Sequence, residues 1–219
     1  MSRSSIRGAV PAFLLVCAVA AFAAKDFVMP RSYSAKTYPA RDEHANEHVT
    51  VAADPYDTGD KTAETFVSDY RQHDLLPVLI VVTNDGDQPV SLNSLKVELV
   101  TVNRVKLHPA TDDDLYRHLA VSPKRPDGPR ISPIPLPRRA PRPALSRQVQ
   151  DEVDRAPFKA RAVEAHATQQ GFFFFDVEGL SNPLAGARLY VNGVKSDGKE
   201  LWYFEIPMEK YLTYQPGKK

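Results

Sequence analysis

The chain has 219 residues, of which 42% are hydrophobic and 25% are charged, and this balance is ordinary for a globular protein with its own core. It departs from average composition in its 19 prolines, against 10 glycines, and in its single cysteine. The prolines are crowded into one region, which predicts an insertion. One cysteine cannot form an internal disulfide, so the stability of the fold must come from packing.

Residues 1–24 have the composition of an export signal. Arg3 and Arg7 form a basic start, an uncharged run of 17 residues follows, and small residues predict cleavage after Ala23. The alternative is an uncleaved membrane anchor, but a spanning helix needs roughly 20 apolar residues, and Pro11 interrupts this run. We therefore expect an exported protein, periplasmic or associated with the cell envelope, with membrane contact only if the signal is retained.

Cys17 lies inside the uncharged run and follows Leu14-Leu15-Val16, a pattern that resembles a bacterial lipoprotein box. That box requires a small residue where Val16 stands, and the apolar run continues past the cysteine. We therefore expect no lipidation at Cys17. The mature chain then has no cysteine, which excludes thiolate chemistry although export would permit disulfides.

The clearest strand signal is the apolar run from Pro77 to Thr83, which is rich in β-branched residues. The cluster Asn84-Asp85-Gly86-Asp87 closes this run, and a second apolar segment starts at Val90, so the pattern predicts a strand, a tight turn and a strand. The polar residues of the turn could instead bind calcium. Their spacing is not that of an EF-hand loop, which favours the turn.

Further strands are predicted by alternation or by aromatic content. They cover residues 48–52, 95–107 (one strand, kinked at 100–103), 158–165, 171–177, 187–191 and 201–206, with a hairpin turn at 195–199. One helix is predicted at 111–119 behind a capping box of Thr111 and Asp114, and an amphipathic helix at 145–154. Phe66 and Tyr70, four residues apart, are predicted to share one side of a helical turn, where they either plug one end of a sandwich or form a shelf for a ligand.

Four consecutive phenylalanines, Phe172 to Phe175, cannot all face one core, because side chains alternate across a strand. Either this strand is covered on both faces, or two of the rings are exposed as an adhesive patch. We expect it to be covered, and the helix that starts near Leu145 is the candidate cover.

Residues 122–143 hold eight prolines. Proline removes amide donors and restricts the residue before it, so the segment is predicted to be a disordered or polyproline II insertion. Its charge is +5, because it has one acidic residue and six basic ones, which are the predicted partner-binding residues: Lys124, Arg125, Arg130, Arg138, Arg139 and Arg142. It is a solvated surface insertion, a binding segment for an envelope protein or an anionic envelope polymer, or a clasp that folds back on the acidic remainder of the chain. Export argues against nucleic acid.

Many short strands without regular alternation of strand and helix predict an all-β sandwich. The expected organisation is a signal peptide at 1–23, an extended arm at 24–46, one domain at 47–212 interrupted by the insertion, and a C-terminal tail at 213–219.

Two segments carry a resemblance to a known class of domain. The run Leu-Pro-Val-Leu-Ile-Val-Val-Thr-Asn-Asp-Gly-Asp-Gln-Pro-Val from Leu76, and the polar loop that precedes the strand at Gly171, resemble parts of exported bacterial immunoglobulin-like domains of uncharacterised function. The resemblance covers roughly residues 49–207 and departs from that class at the basic insertion. It implies an immunoglobulin-like antiparallel β-sandwich of about seven strands, with two or three short helices, in an exported protein.

The string His44-Ala45-Asn46-Glu47-His48 matches the H-x-x-E-H motif of inverted zinc proteases. That chemistry requires both histidines on one face of a packed helix, and this string lies in a polar stretch before a strand. Catalytic zinc is therefore not expected. A helical turn here could still capture adventitious Zn²⁺ or Cu²⁺ with Glu43.

No nucleophile elbow, phosphate-binding glycine loop or cysteine nucleophile is found in the sequence. We therefore expect no enzyme and no cofactor. The predicted function is that of a non-enzymatic exported envelope protein that acts as a protein-interaction or assembly module, through the insertion or the phenylalanine strand. The alternative is a small-ligand module that binds a glycan or a metal through Trp202, Tyr203 or the His44 segment.

Overall fold

A computed structural model describes residues 25–120 and 145–212, which form a mainly β structure. The predicted signal peptide with Cys17, the basic insertion and the C-terminal tail all lie outside the described residues.

The described residues form twelve strands, several of only two residues: β1 (Arg41–His44), β2 (Val49–Pro55), β3 (Leu75–Asn84), β4 (Val90–Ser91), β5 (Lys96–Val100), β6 (Lys106–Leu107), β7 (Ala162–Val163), β8 (Ala167–Asp176), β9 (Arg188–Asn192), β10 (Lys195–Ser196), β11 (Lys199–Glu200) and β12 (Phe204–Pro207). The helices are α1 (Gly59–Thr65), α2 (Asp112–Leu119), α3 (Arg147–Arg155) and α4 (Glu209–Leu212), with 3-10 turns at Ala35–Thr37 and Tyr70–His73.

The strands form three four-stranded antiparallel sheets. The central sheet has the order β1-β2-β3-β8, the outer sheet β12-β9-β5-β6, and the small sheet β11-β10-β4-β7. At the edge of the central sheet, the Asp42 carboxylate of β1 accepts a hydrogen bond of 2.9 Å from the Glu205 amide of β12. This bond occupies an edge amide and ties the central sheet to the outer sheet.

The central sheet is buried on both faces, which explains the continuous apolar run in the sequence. All ten residues of β3 are buried. Val78, Ile80 and Val82 point into a core shared with the outer sheet, whereas Leu79 and Val81 point into a second core on the opposite face. A strand buried on both sides cannot show polar alternation.

The phenylalanine strand β8 is covered on both faces, as the sequence predicted. Phe175 belongs to the core shared with the outer sheet, with Phe173 packed against it. Phe172 and Phe174 belong to the second core, which also contains Val153 of α3. The expected cover by the helix near residue 145 is therefore confirmed, and the phenylalanine rings do not form an adhesive patch.

The second core is closed by aromatic side chains that lie on the face of the central sheet and not at its end. Phe66 contacts Tyr70 and Phe172, with ring centroids 4.8 Å apart in both pairs. The two residues do not share one helical turn, because α1 ends at Thr65 and the next 3-10 turn begins at Tyr70. Phe27 of the N-terminal segment stacks on Phe66 at 5.6 Å.

The N-terminal segment is therefore part of the fold and not a loose arm. It contains a 3-10 turn and β1, and the amide of Ala35 donates to the Thr83 hydroxyl at 2.8 Å. The prediction of an extended arm was wrong because the segment is held by tertiary contacts, which its aperiodic sequence does not reveal.

Helix α2 begins with the predicted capping box. The Thr111 hydroxyl accepts from the Asp114 amide, and the Asp114 carboxylate accepts from the Thr111 amide at 3.0 Å. The Thr111 hydroxyl also donates to the Asp114 carboxylate at 2.7 Å, and this bond, together with the one from the Thr111 amide, lowers the pKa of Asp114. Leu115 and Leu119 are buried, as their four-residue spacing predicted.

Residues 95–107 form a hairpin and not one kinked strand. The chain reverses between β5 and β6, with Arg104 at a φ of +61° and its amide donating to the Thr101 carbonyl at 2.9 Å. The alternation of apolar and polar residues changes phase after Val100, and this change marks the reversal of the chain. The strand predicted at 158–165 is also shorter, since only β7 pairs there.

Within the described part of the chain, none of the helices has the length and apolar content that crossing a bilayer requires.

Candidate partner-binding surface

An exposed aromatic stripe lies where the chain enters β12. The side chain of Trp202 is 82% exposed and that of Tyr203 is 47% exposed. Their ring centroids are 6.5 Å apart, and Tyr203 lies 5.7 Å from the ring of Tyr190 on β9. Large aromatic surfaces left in water are unusual, and they are enriched at contact surfaces.

Trp202 borders a pocket of about 560 Å³, which we call the Trp202 pocket. Its walls come from three turns: the β1–β2 turn with Glu47 and His48, the β3–β4 turn with Asp87, and the β10–β11 hairpin with Asp197. Turns that are distant in the sequence therefore meet at one end of the fold, where rigid strands position them.

The buried side chain of Asn84 holds the β3–β4 turn in place through hydrogen bonds. Its side chain is 1% exposed, and its amide nitrogen donates to the carbonyl of Gln88 at 2.8 Å and to those of Val163 and Glu164 at 3.2 Å. Its side-chain oxygen accepts from the Gly86 amide at 3.0 Å. A buried amide with four partners holds this wall of the pocket in one conformation.

The other two walls are also tight turns. The carbonyl of His48, a residue at a φ of +56°, accepts from the Asp85 amide at 2.8 Å and joins the first two turns. In the hairpin, Asp197 and Gly198 both have positive φ, as a type I′ turn requires. The pocket is therefore preorganised.

The rim of the Trp202 pocket is mainly acidic. Four carboxylates line it, against the single lysine Lys199 and His48: Glu47, Asp87, Asp197 and Glu200. Asp87 lies 3.1 Å from the ring of His166, whereas the other three carboxylates form no ion pair within the described residues. Negative charge thus surrounds an exposed aromatic face.

The H-x-x-E-H string forms a hairpin and not a helix. His44 lies on β1, where its ring stacks on Phe204 at 3.9 Å, and His48 closes the turn. The two imidazoles are therefore not adjacent on a helix face, and the condition for capturing a metal is not met. In the described ranges, 25–120 and 145–212, no three His, Cys, Asp or Glu side chains are grouped closely enough to hold a metal ion.

The six predicted partner-binding residues of the insertion, Lys124, Arg125, Arg130, Arg138, Arg139 and Arg142, all lie outside the described residues. The phenylalanine strand, the other proposed contact, is buried. Of the candidate binding residues named from the sequence, the structure exposes Trp202 and Tyr203, and also Glu43, Glu47 and His48 of the His44 segment.

A second pocket, of about 610 Å³, lies beside α1. The Lys61 ammonium pairs there with Asp54, donates to the Pro55 carbonyl at 2.8 Å, and lies 4.3 and 4.9 Å from the ring centroids of Tyr56 and Tyr211. Burial lowers the pKa of Lys61 and raises the pKa of Asp54. The Lys61 ammonium therefore makes contacts within the protein that join α1, β2 and α4.

Replacing Lys61 with methionine should lower the free energy of unfolding at pH 7 by about 2 kcal/mol, because it leaves a largely buried carboxylate without its cation. Without Lys61, the pKa of Asp54 rises further above its ordinary value of 3.8. The folded state then holds the proton more tightly than the unfolded state, so the loss should shrink as pH falls towards 4. Urea unfolding of the wild type and of Lys61→Met, at pH 7 and near pH 4, measures this loss of stability.

The control is the double variant Lys61→Met with Asp54→Asn, in which the carboxylate is absent. The difference in the free energy of unfolding between this double variant and the wild type should not shrink as pH falls towards 4. A deficit of Lys61→Met that stays constant or grows on acidification would contradict the assignment of the charge to Asp54.

No protein-family model, curated protein or solved structure matches this chain.

The sequence indicated Trp202 as a candidate but not the pocket beside it. The pocket depends on three turns brought together by strand pairing, and each turn by itself shows only the usual turn residues. Two signals were usable: the pair Trp202-Tyr203, which breaks the alternation expected before a half-buried strand, and the His44 segment, whose Glu47 and His48 line the pocket.

Proposed function

We propose that this chain is an exported, non-enzymatic cell-envelope protein that acts as a protein-interaction module, and that the Trp202 surface is its contact. The observation that supports this function is the 82% exposed Trp202 beside a preorganised pocket. Tryptophan and tyrosine supply most of the binding energy at protein contacts when a partner buries them. Export and location in the envelope rest on the leader sequence.

We also propose that the fold is an immunoglobulin-like β-sandwich. Side chains of the central and outer sheets share one hydrophobic core, and every strand pair is antiparallel. The N-terminal segment, α2 and α3 then form a third layer added to the free face of the central sheet. The Trp202 pocket lies at a loop end, where such domains present variable surfaces.

The function is tested with tagged residues 24–219, which are used to capture partners from a detergent-solubilised envelope extract and are then titrated with the purified partner. Trp202→Ala should weaken partner binding by about 30-fold, the effect of a hot-spot residue. Tyr33→Ala is the matched control, because Tyr33 is 52% exposed and borders the other pocket. Equal affinities of the wild type and both variants would contradict the proposal.

A second candidate function is glycan binding at the same surface. The indole face offers a flat apolar platform, and the carboxylates and amides of the rim offer hydrogen bonds. A glycan array is probed with the wild type and with Trp202→Ala. Glycan binding by the wild type that Trp202→Ala loses, together with no captured protein partner, would favour this candidate.

A further inference from the structure

We propose that the Trp202 pocket accepts an arginine or lysine side chain from a cationic segment of the partner protein. This inference rests on the proposed function, since it specifies the chemistry of the partner at the same surface. The ligand class follows from the combination of an aromatic face with carboxylates from separate turns.

The aromatic part of the site suits a cation. A guanidinium or ammonium group over the face of tryptophan gains more than over any other ring, because the electron-rich face of the ring attracts positive charge. Trp202 is exposed enough to be approached from solvent, and the ring of Tyr203 lies beside it. The indole therefore provides a platform for a planar guanidinium.

The carboxylates provide the neutralising charge. Glu47, Asp197 and Glu200 line the pocket from two different turns, and none of them has a cation partner within the described residues. Three carboxylates without a cation partner give the rim of the pocket a negative charge, which favours a bound cation and disfavours an anionic ligand.

The net charge of the described residues acts in the same direction. The described residues contain 26 acidic and 18 basic side chains, a formal charge of −8, although the full chain carries +1. A field of this sign accelerates the approach of cationic segments and makes the association sensitive to salt. The net charge of the described residues therefore has the same sign as the rim of the Trp202 pocket.

The walls of the pocket are fixed before binding, which reduces the entropy lost when a side chain enters. Asn84 holds the β3–β4 turn through four hydrogen bonds, and the His48 carbonyl joins it to the β1–β2 turn. A preformed pocket of about 560 Å³ is large enough for one long side chain and its neighbours.

The test uses the fluorescence of Trp202, which is the only tryptophan of the chain. Full mature protein is titrated with a short glycine-serine peptide that contains three arginines, and with the same peptide in which citrulline, neutral and nearly isosteric, replaces arginine. The arginine peptide should change the emission at low salt and lose affinity as salt rises. The citrulline peptide should bind at least tenfold more weakly.

The triple variant Glu47→Gln, Asp197→Asn, Glu200→Gln should lose about tenfold in affinity for the arginine peptide. The matched control Asp113→Asn, Asp154→Asn, Glu178→Gln removes the same charge at exposed positions away from the pocket, and it should lose much less. Lys199→Gln should bind more tightly, because it removes the lysine that opposes a cation at the rim.

Equal binding of the arginine and citrulline peptides, or equal effects of the two triple variants, would overturn the inference. If the purified partner also needs Trp202 but not the three carboxylates, the cation assignment fails while the interaction function stands. If the partner needs neither, both fail. Emission that responds to a glycan alone, or to self-association seen by sedimentation, would assign the pocket to another occupant and overturn the inference too.

Discussion

Replacing Gly193 with alanine should lower the free energy of unfolding by more than about 3 kcal/mol. Gly193 has a φ of +78°, and a Cβ atom at this position would lie 1.9 Å from the Ser94 carbonyl oxygen. The clash is with backbone and not with the end of a flexible side chain, so it can be relieved only by moving the turn before β5. The backbone would be strained as well, because side chains disfavour positive φ.

Gly198→Ala is the matched control for this change. Gly198 has a similar φ of +73°, but a Cβ atom added there would meet no other atom within 4 Å, so it isolates the cost of the backbone conformation. It should lose about 1 kcal/mol. Urea unfolding of the two variants measures the difference, and equal losses would show that the close approach to Ser94 is unimportant.

The position of Gly193 links this stability to the proposed contact. It lies between β9 of the outer sheet and β10 of the small sheet, where the chain turns towards the hairpin that lines the Trp202 pocket. A displaced hairpin would also move Asp197. Partner affinity of Gly193→Ala should therefore fall even under conditions in which the variant remains folded.

Replacing Glu152 with alanine should cost about 3 kcal/mol, the second large effect expected. Glu152 is 0% exposed, and its carboxylate accepts hydrogen bonds from the amides of Val67 and Ser68. Burial raises the pKa of Tyr70, and the nearby negative charge of Glu152 raises it further. The Tyr70 hydroxyl makes no hydrogen bond of good geometry among the described residues. Alanine would leave two amides without acceptors and a cavity between α3 and the loop after α1.

Asp154→Ala on the same helix is the control, because Asp154 is exposed and should change stability by less than about 0.5 kcal/mol. Glu152→Gln keeps the size and one acceptor oxygen, so its loss should be intermediate. Thermal or urea unfolding ranks the three variants. A Glu152→Ala protein as stable as Asp154→Ala would contradict the structural role of this carboxylate.

The sequence predicted correctly the elements that depend only on residues close together in the chain. The capping box of α2 needs only Thr111 and Asp114, and the β3 run needs only its own apolar residues, so both were found. The two faces of the phenylalanine strand also follow from alternation alone. These features include much of the second core.

The remaining features depend on contacts between distant segments. Glu152 lies in the helix that the sequence predicted, but its acceptor role is set by amides 84 and 85 residues away. The pairing of β1 with β2, and the packing of Phe27 on Phe66, are decided by the tertiary fold. The Trp202 pocket arises in the same way, from turns that the sheets bring together.

Acrylamide quenching of Trp202 tests the central claim most directly, because the chain contains one tryptophan and the structure places it 82% exposed. The full mature protein is measured alone and with a saturating amount of the partner captured from the envelope extract. If the Trp202 surface is the contact, the quenching constant should fall several-fold in the complex. A quenching constant that is the same in the free protein and in a demonstrably formed complex would show that the partner binds elsewhere.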